Sequence, residues 1–261
     1  MLRTRVWTAL IALPALFAVV VFAPPAAFSA FIGVLTAWGL YEVAAMTRAC
    51  GAAPLAALVV AGGGTALVLS CAPQPLWFVP LAVVLAMLTF TARVGLNGAA
   101  PSTPGLGLTV LGAFYVGALF PYFALLRNGP TGIATLVLVL LLVMASDTGA
   151  YFAGSWLGRT KLAPRLSPNK TVEGAVGGLV LCVAAGLGLR APLVPQWSPA
   201  KTLALSAAFG ILAQLGDLAG SAFKRSAGVK DSGWIIPGHG GLLDRTCSMV
   251  FAVALAYYWS R

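Results

Sequence analysis

Nine stretches of this chain are each apolar for long enough to cross a lipid bilayer. A hydrocarbon core of roughly 30 Å asks for about 20 consecutive apolar residues in a helix. Windows of that length place spans near residues 7–23, 26–46, 54–71, 75–91, 105–126, 131–155, 174–195, 200–223 and 242–259. Apolar residues make up 60% of the chain and charged residues only 8%, a balance that a water-facing globule could not cover with polar surface. The expected fold is therefore all-α: a polytopic integral membrane protein of about nine transmembrane helices.

The cations orient it. With the N-terminus in the cytoplasm, the inner side receives Arg3, Arg5, Arg48, Arg93, Arg159, Lys161, Arg165, Lys170, Lys224, Arg225, Lys230 and Arg245, which is 12 of the 16 Lys and Arg residues. The outer side receives Arg127, Arg190, Lys201 and Arg261. This positive-inside asymmetry supports a cytoplasmic N-terminus. The first span imitates a secretory signal, with Arg3 and Arg5 ahead of an apolar run and small residues at Ala27 and Ser29. Its length and the hydrophobic span that follows at once favour a retained helix. Cys50, Cys71, Cys182 and Cys247 are too scattered for a C-x-x-C pair, so neither a zinc site nor a disulfide framework is expected.

Polarity is distributed unevenly. Residues 1–126 have short loops and Gly/Pro breaks such as GGG at 62–64, and read as membrane scaffold. Residues 127–261 carry the two longest charged loops, 156–173 and 224–241, and five of the six acids, and read as the catalytic region. All six acids, Glu42, Asp147, Glu173, Asp217, Asp231 and Asp244, fall in or near the inner half of the expected topology. Charge of both signs on one face points to a site there, and the net charge of +10 suits anionic headgroups or phosphates.

On the span 200–223, Ser206, Gly210, Gln214, Asp217, Ser221, Lys224 and Arg225 fall within an arc of about 100°. A carboxylate facing lipid is costly, so Asp217 is expected to look into the bundle or a wet cavity and to have a cationic partner. A second stripe, Asp147, Tyr151, Gly154 and Gly158, closes the sixth span. The loop RTKLAPRLSPNKTVEG then offers Arg159, Lys161, Arg165 and Lys170 near the N-terminus of the next helix, where amides and dipole favour an anion. The stretch SAFKRSAGVKDSGWIIPGHGGLLDRTCS, residues 221–248, gathers Lys224, Arg225, Lys230, Asp231, His239, Asp244 and Arg245 around glycines that allow a tight backbone. Asp217 and Asp244 stand on different helices, and two carboxylates beside many cations match Mg²⁺, which binds through one or two acids plus substrate phosphates.

These residues resemble the phosphatidate cytidylyltransferase, or CDP-diacylglycerol synthase, family. Its signature S-x-x-K-R-x4-K-D-x-G-x2-x-P-x-H-G-G-x-x-D-R-x-D is matched here in all but its final Asp. The segment SDTGAYFAGSWLGRTKLAPRLSPNKTVEGAVGG is similar to the family's second block. The resemblance implies Mg²⁺-dependent reaction of CTP with phosphatidate in phospholipid biosynthesis, giving CDP-diacylglycerol and pyrophosphate. It implies a bacterial inner-membrane enzyme with its site facing the cytoplasm, membrane lipid as partner, no nucleic acid, and a homodimer. It carries Asp217, Asp244, Lys230 and Asp231 over as catalytic, with Asp217 and Asp244 on the metal. Asp147, Lys170, Ser221, Lys224, Arg225, His239, Gly240, Gly241 and Arg245 become substrate- and phosphate-binding residues. A phosphate nucleophile is already ionised near neutral pH, so His239 is cast as a donor to phosphate or loop rather than as a base.

Four positions depart from the family pattern. Gly220 stands where Glu is usual, Cys247 where the last Asp is, Asn169 where Lys is usual and Val172 where Trp is common. Two lost carboxylates predict weaker, more Mg²⁺-demanding turnover. A transporter, a CTP-using polyprenol or phytol kinase, and a catalytically inactive relative are the competing readings. Acids clustered at one face disfavour the first, and the complete K-R-x4-K-D…G-H-G-G block disfavours the second.

Overall fold

In the computed structural model, which describes residues 2–48, 103–233 and 240–260, the chain is helical almost throughout. The expected spans at 54–71 and 75–91 lie outside the described residues. The elements are α1 (Leu2–Phe22), α2 (Pro25–Arg48), α3 (Thr103–Leu119), α4 (Pro121–Arg127), α5 (Gly132–Leu157), β1 (Lys161–Ala163), β2 (Ser167–Thr171), α6 (Val172–Leu193), α7 (Pro199–Ser226) and α8 (Leu243–Trp259). Among the described residues, four helices are long and apolar enough to cross a membrane: Pro25–Thr47, Gly132–Leu157, Val172–Leu193 and Pro199–Ser226. Even the shortest of these, at 22 residues, rises about 33 Å at 1.5 Å per residue. Large apolar side chains such as Val34, Val176, Val180 and Ile211 are exposed along them, as lipid-facing residues are. The protein is an integral membrane protein.

The chain forms two compact units. The first contains the described residues of 1–125 together with 223–245. Its α2 begins at Pro25, whose missing N–H costs nothing in a first helical turn. That helix buries Phe28, Ile32, Thr36, Leu40, Val43 and Thr47, a stripe at helical spacing. The two threonines return their hydroxyl protons to their own helix, Thr36 to the Ile32 carbonyl and Thr47 to that of Val43, both at 2.8 Å. Helix α2 packs on α3, where Gly39 admits the Val116 side chain and Gly112 admits Val43 and Phe223. The single span expected at 105–126 is divided: Pro121 cannot donate a helical hydrogen bond, and the helix breaks at Phe120 into α3 and α4.

The second unit holds residues 126–222 and 246–261. Helices α5 and α6 run in close contact, because glycines line their seam. A side chain at Gly149 would collide with the Gly177 carbonyl and Leu181, and one at Gly174 with the Ala150 carbonyl. Small residues let helix backbones approach in this way. The charged loop expected at 156–173 is more ordered than its composition predicted. It contains an antiparallel hairpin pairing Lys161 with Thr171 and Ala163 with Ser167. Pro164 occupies the second position of the turn, whose Leu166 N–H donates to the Ala163 carbonyl at 3.1 Å.

Candidate active site

Helix α7 carries the polar face read from its sequence, and its contacts within the second unit run in order along that face. Ser206 fills the space beside Gly186, and Gly210 lies against Cys182. The Gln214 amide donates to the Ala175 carbonyl at 2.9 Å. Asp217 accepts an ion pair from Lys170 at 2.7 Å. The expected cationic partner of Asp217 thus comes from β2, and its side chain keeps 45% exposure. Thr171, one residue on, caps α6 by accepting the Gly174 N–H at 3.1 Å. Glu173 takes the backbone N–H groups of Arg159 and Thr160, each at 3.1 Å. The first turn of α6 therefore holds its own loop in place, with Lys170 fixed between the cap and Asp217.

The first unit builds a denser cluster around Asp244 in the first turn of α8. Its Oδ1 accepts the Lys224 ammonium, and the two side chains are only 6% and 17% exposed. Its Oδ2 accepts the Ser232 N–H at 2.9 Å, the Gly241 N–H at 3.0 Å and stands 3.1 Å from the Ser232 hydroxyl. Gly240 adopts φ +81°, a conformation that glycine takes at no steric cost. A side chain on Gly241 would overlap Ser232 and both oxygens of Glu42. The glycines of the G-G-x-x-D sequence are needed so that backbone amides can reach a carboxylate from beneath.

Glu42 is the residue that sequence reasoning missed as a member of this cluster. It is 3% exposed. One oxygen accepts the Leu242 N–H at 2.7 Å and the Trp38 indole N–H at 3.2 Å. The other accepts the Leu243 N–H at 3.0 Å and the Ser232 hydroxyl at 2.8 Å. The available signal was that Glu42 is the sole acid among residues 1–126 and falls inside a span.

The remaining candidates are placed as follows. Arg225, Lys230, Asp231 and Arg245 are exposed, and Ser221 is half-buried on α7. In the second stripe, Gly154 and Gly158 pack on Thr171, whereas Asp147 and Tyr151 are exposed. Arg159, Lys161 and Arg165 are exposed on and beside the hairpin. His239 lies outside the described residues. Cys182 and Cys247 are buried thiols.

Carboxylate oxygens are the ligand type that a hard divalent cation takes. Asp217 and Asp244 offer carboxylate oxygens, each already matched to one ammonium group. Among the described residues no three acids, histidines or cysteines converge on a point where a metal could sit. Mg²⁺ asks for no such cage, since it binds through one or two carboxylates with water and substrate phosphate completing its shell.

Known proteins resemble the chain along most of its length. Residues 3–261 match the model of the cytidylyltransferase family. The chain is 37% identical over 265 residues to a phosphatidate cytidylyltransferase of Synechocystis, covering 89% of this chain and 87% of that protein. It is 36% identical to one of Pseudomonas aeruginosa, covering 100% of this chain and 98% of that protein. With one of Brucella suis it shares 46% identity across 59% of this chain and 57% of the relative. A match that runs from the first span to the last residue, through both charged segments, shows that the chain belongs to the cytidylyltransferase family.

Proposed function

We propose that the protein transfers the cytidylyl group of CTP to phosphatidate. A phosphate oxygen of the lipid attacks the α-phosphorus of CTP, the bond from that phosphorus to the bridging oxygen breaks, and pyrophosphate leaves. The products are CDP-diacylglycerol and pyrophosphate. The observation that carries this reading is the Lys224–Asp244 pair set among backbone amides and glycines. Two anionic reactants must be brought together there, and fixed cations and N–H groups offset their repulsion without reorganising.

In this reading Lys170, Lys224, Arg225, Lys230 and Arg245 screen the lipid phosphate and the departing pyrophosphate. Asp147, Ser221, Gly240, Gly241 and His239 contact substrate, and Asp231 assists beside Lys230. Asp217 and Asp244 would hold Mg²⁺, which when bound supplies charge neutralisation across the phosphates. The reacting groups come from residues 127–261, and residues 1–126 serve as scaffold to which Glu42 adds a contact. The chain crosses the bacterial inner membrane nine times and acts as a homodimer. Its N-terminus and the segments 156–173 and 224–241 lie in the cytoplasm, where CTP meets a lipid that stays anchored by its chains.

Purified protein incubated with CTP, Mg²⁺ and phosphatidate, with lipid products separated, tests the reading. CDP-diacylglycerol is the expected product. A phosphorylated polyprenol formed from CTP, with no CDP-diacylglycerol, would assign the kinase activity instead.

A further inference from the structure

We propose that Glu42 is a positioning residue for the Asp244–Lys224 pair, acting through Ser232 and the backbone of residues 241–243. The inference deepens the reading above and rests on it for its catalytic half. Among the described residues the partners of Glu42 are four N–H or O–H donors and no cation. A buried carboxylate used this way is a hub that fixes directions, because each donor must point at it to offset its burial.

Two of those donors, Leu242 N–H and Leu243 N–H, open α8 and so set the position from which the Asp244 side chain departs. The third is the hydroxyl of Ser232, a residue only 4% exposed. That hydroxyl has one proton and two carboxylates within reach, Glu42 at 2.8 Å and Asp244 at 3.1 Å. Given to Glu42, it holds Ser232 so that the Ser232 backbone N–H meets Asp244 Oδ2 beside the Gly241 N–H. Oδ1 is left facing Lys224. Glu42 therefore fixes the orientation of the Asp244 carboxyl group, with one oxygen taken up by backbone and the other presented to a cation. The glycines at 233 and 241 serve the same arrangement, since side chains there would press on the Glu42 carboxyl.

Three variants and two readouts decide it. The first readout is amide hydrogen exchange across residues 229–245 in protein free of metal and CTP. The second is steady-state transfer from CTP to phosphatidate. Glu42→Gln keeps the shape but replaces the charged acceptor by a neutral amide, whose NH₂ faces two of the donors and whose oxygen accepts the other two more weakly. Exchange at Leu242 and Leu243 should quicken about tenfold or more, with the other helices unchanged. The kcat should fall about 10- to 100-fold, and half-saturating Mg²⁺ should rise, with the KM for phosphatidate held. Ser232→Ala removes only the bridging hydroxyl. It should retain protection at Leu242 and Leu243 while lowering kcat and raising half-saturating Mg²⁺. Glu42→Asp keeps the charge but is one methylene short, so it should recover less than wild-type kcat.

Full turnover in Ser232→Ala, or in Glu42→Gln with Leu242 and Leu243 deprotected, overturns the proposal. Exchange that quickens uniformly along the chain in Glu42→Gln makes Glu42 a general stability residue and also overturns it. Wild-type protein that forms no CDP-diacylglycerol removes the catalytic half, while the exchange result still decides the placement of Leu242 and Leu243.

Discussion

The sulfur of Cys247 fills the space in which Gly220 would carry a side chain. Both residues belong to the second unit, and Gly216, one turn earlier on α7, faces the Cys247 carbonyl in the same way. The two departures from the family pattern are thus one matched pair: the absence of a side chain at 220 is what admits the thiol at 247. Gly220→Ala should overpack this contact and cost about 1–3 kcal/mol, read as a lowered Tm. Combining it with Cys247→Ala should recover most of that loss. Strict additivity of the two single changes in a double-mutant cycle would show that the residues do not interact.

Cys247 also sits three residues after Asp244 on α8, hence on nearly the same helix face. Cys247→Asp, made with Gly220 retained, is expected to lower the half-saturating Mg²⁺ concentration and raise turnover by about 10-fold or more, the usual range for restoring an outer partner of a metal site. A Mg²⁺ titration of both proteins checks this, and superimposable curves would mean the cysteine is neutral.

The two acids proposed for the metal should separate activity from stability. Asp217 is half exposed and its pair with Lys170 is a surface-type ion pair, so Asp217→Asn should lose transfer while Tm stays within about 1 kcal/mol of stability. Asp244→Asn leaves Lys224 in a mostly enclosed site and puts an NH₂ group against the Ser232 and Gly241 amides. It should lose transfer and also destabilise by about 3–5 kcal/mol. Near-normal turnover in either variant would sink the metal assignment.

Thr171 links a helix cap to the position of Lys170. Thr171→Ala should cost about 0.5–2 kcal/mol and raise the KM for CTP as Lys170 loses its fixed neighbour, whereas Thr171→Ser should keep both. Thermal melts and CTP titrations report the two effects, and a Thr171→Ala protein unchanged in both would dissolve the link.

Topology is open to direct labelling. Ser232 is buried and bonded to two carboxylates, so it is a poor probe. The exposed positions Pro168 and Asn169 on β2 serve instead. A cysteine at either should resist an impermeant maleimide added outside intact cells and react after permeabilisation. Reaction from outside would place the hairpin on the other face.

Much of this was written in local pattern. The helix bounds of α5, α6, α7 and α8 follow the apolar windows closely, and the face of α7 could be drawn from 100° per residue because Ser206, Gly210, Gln214 and Asp217 are all polar or small. The hairpin at 161–171 was hidden because its composition reads as a charged loop, and three- and five-residue strands carry no periodic signal. The break at Pro121 was blurred by the apolar residues on both sides of it. Glu42 escaped because a hydropathy window averages a single carboxylate away, and three of its four partners stand 190 to 201 positions distant.

That distance gives the protein a direction in time. The amides that open α8 find their acceptor not in neighbouring sequence but in a helix made 200 residues earlier. At about 5–20 residues per second, translation takes about 10–40 s to cover the interval. The carboxylate of Glu42 is already in the membrane when α8 leaves the ribosome, so α8 docks onto a waiting receptor. Assembly of the Glu42 cluster waits on α8, and a ribosome that stops before residue 242 leaves a Glu42 whose α8 partners have not been made.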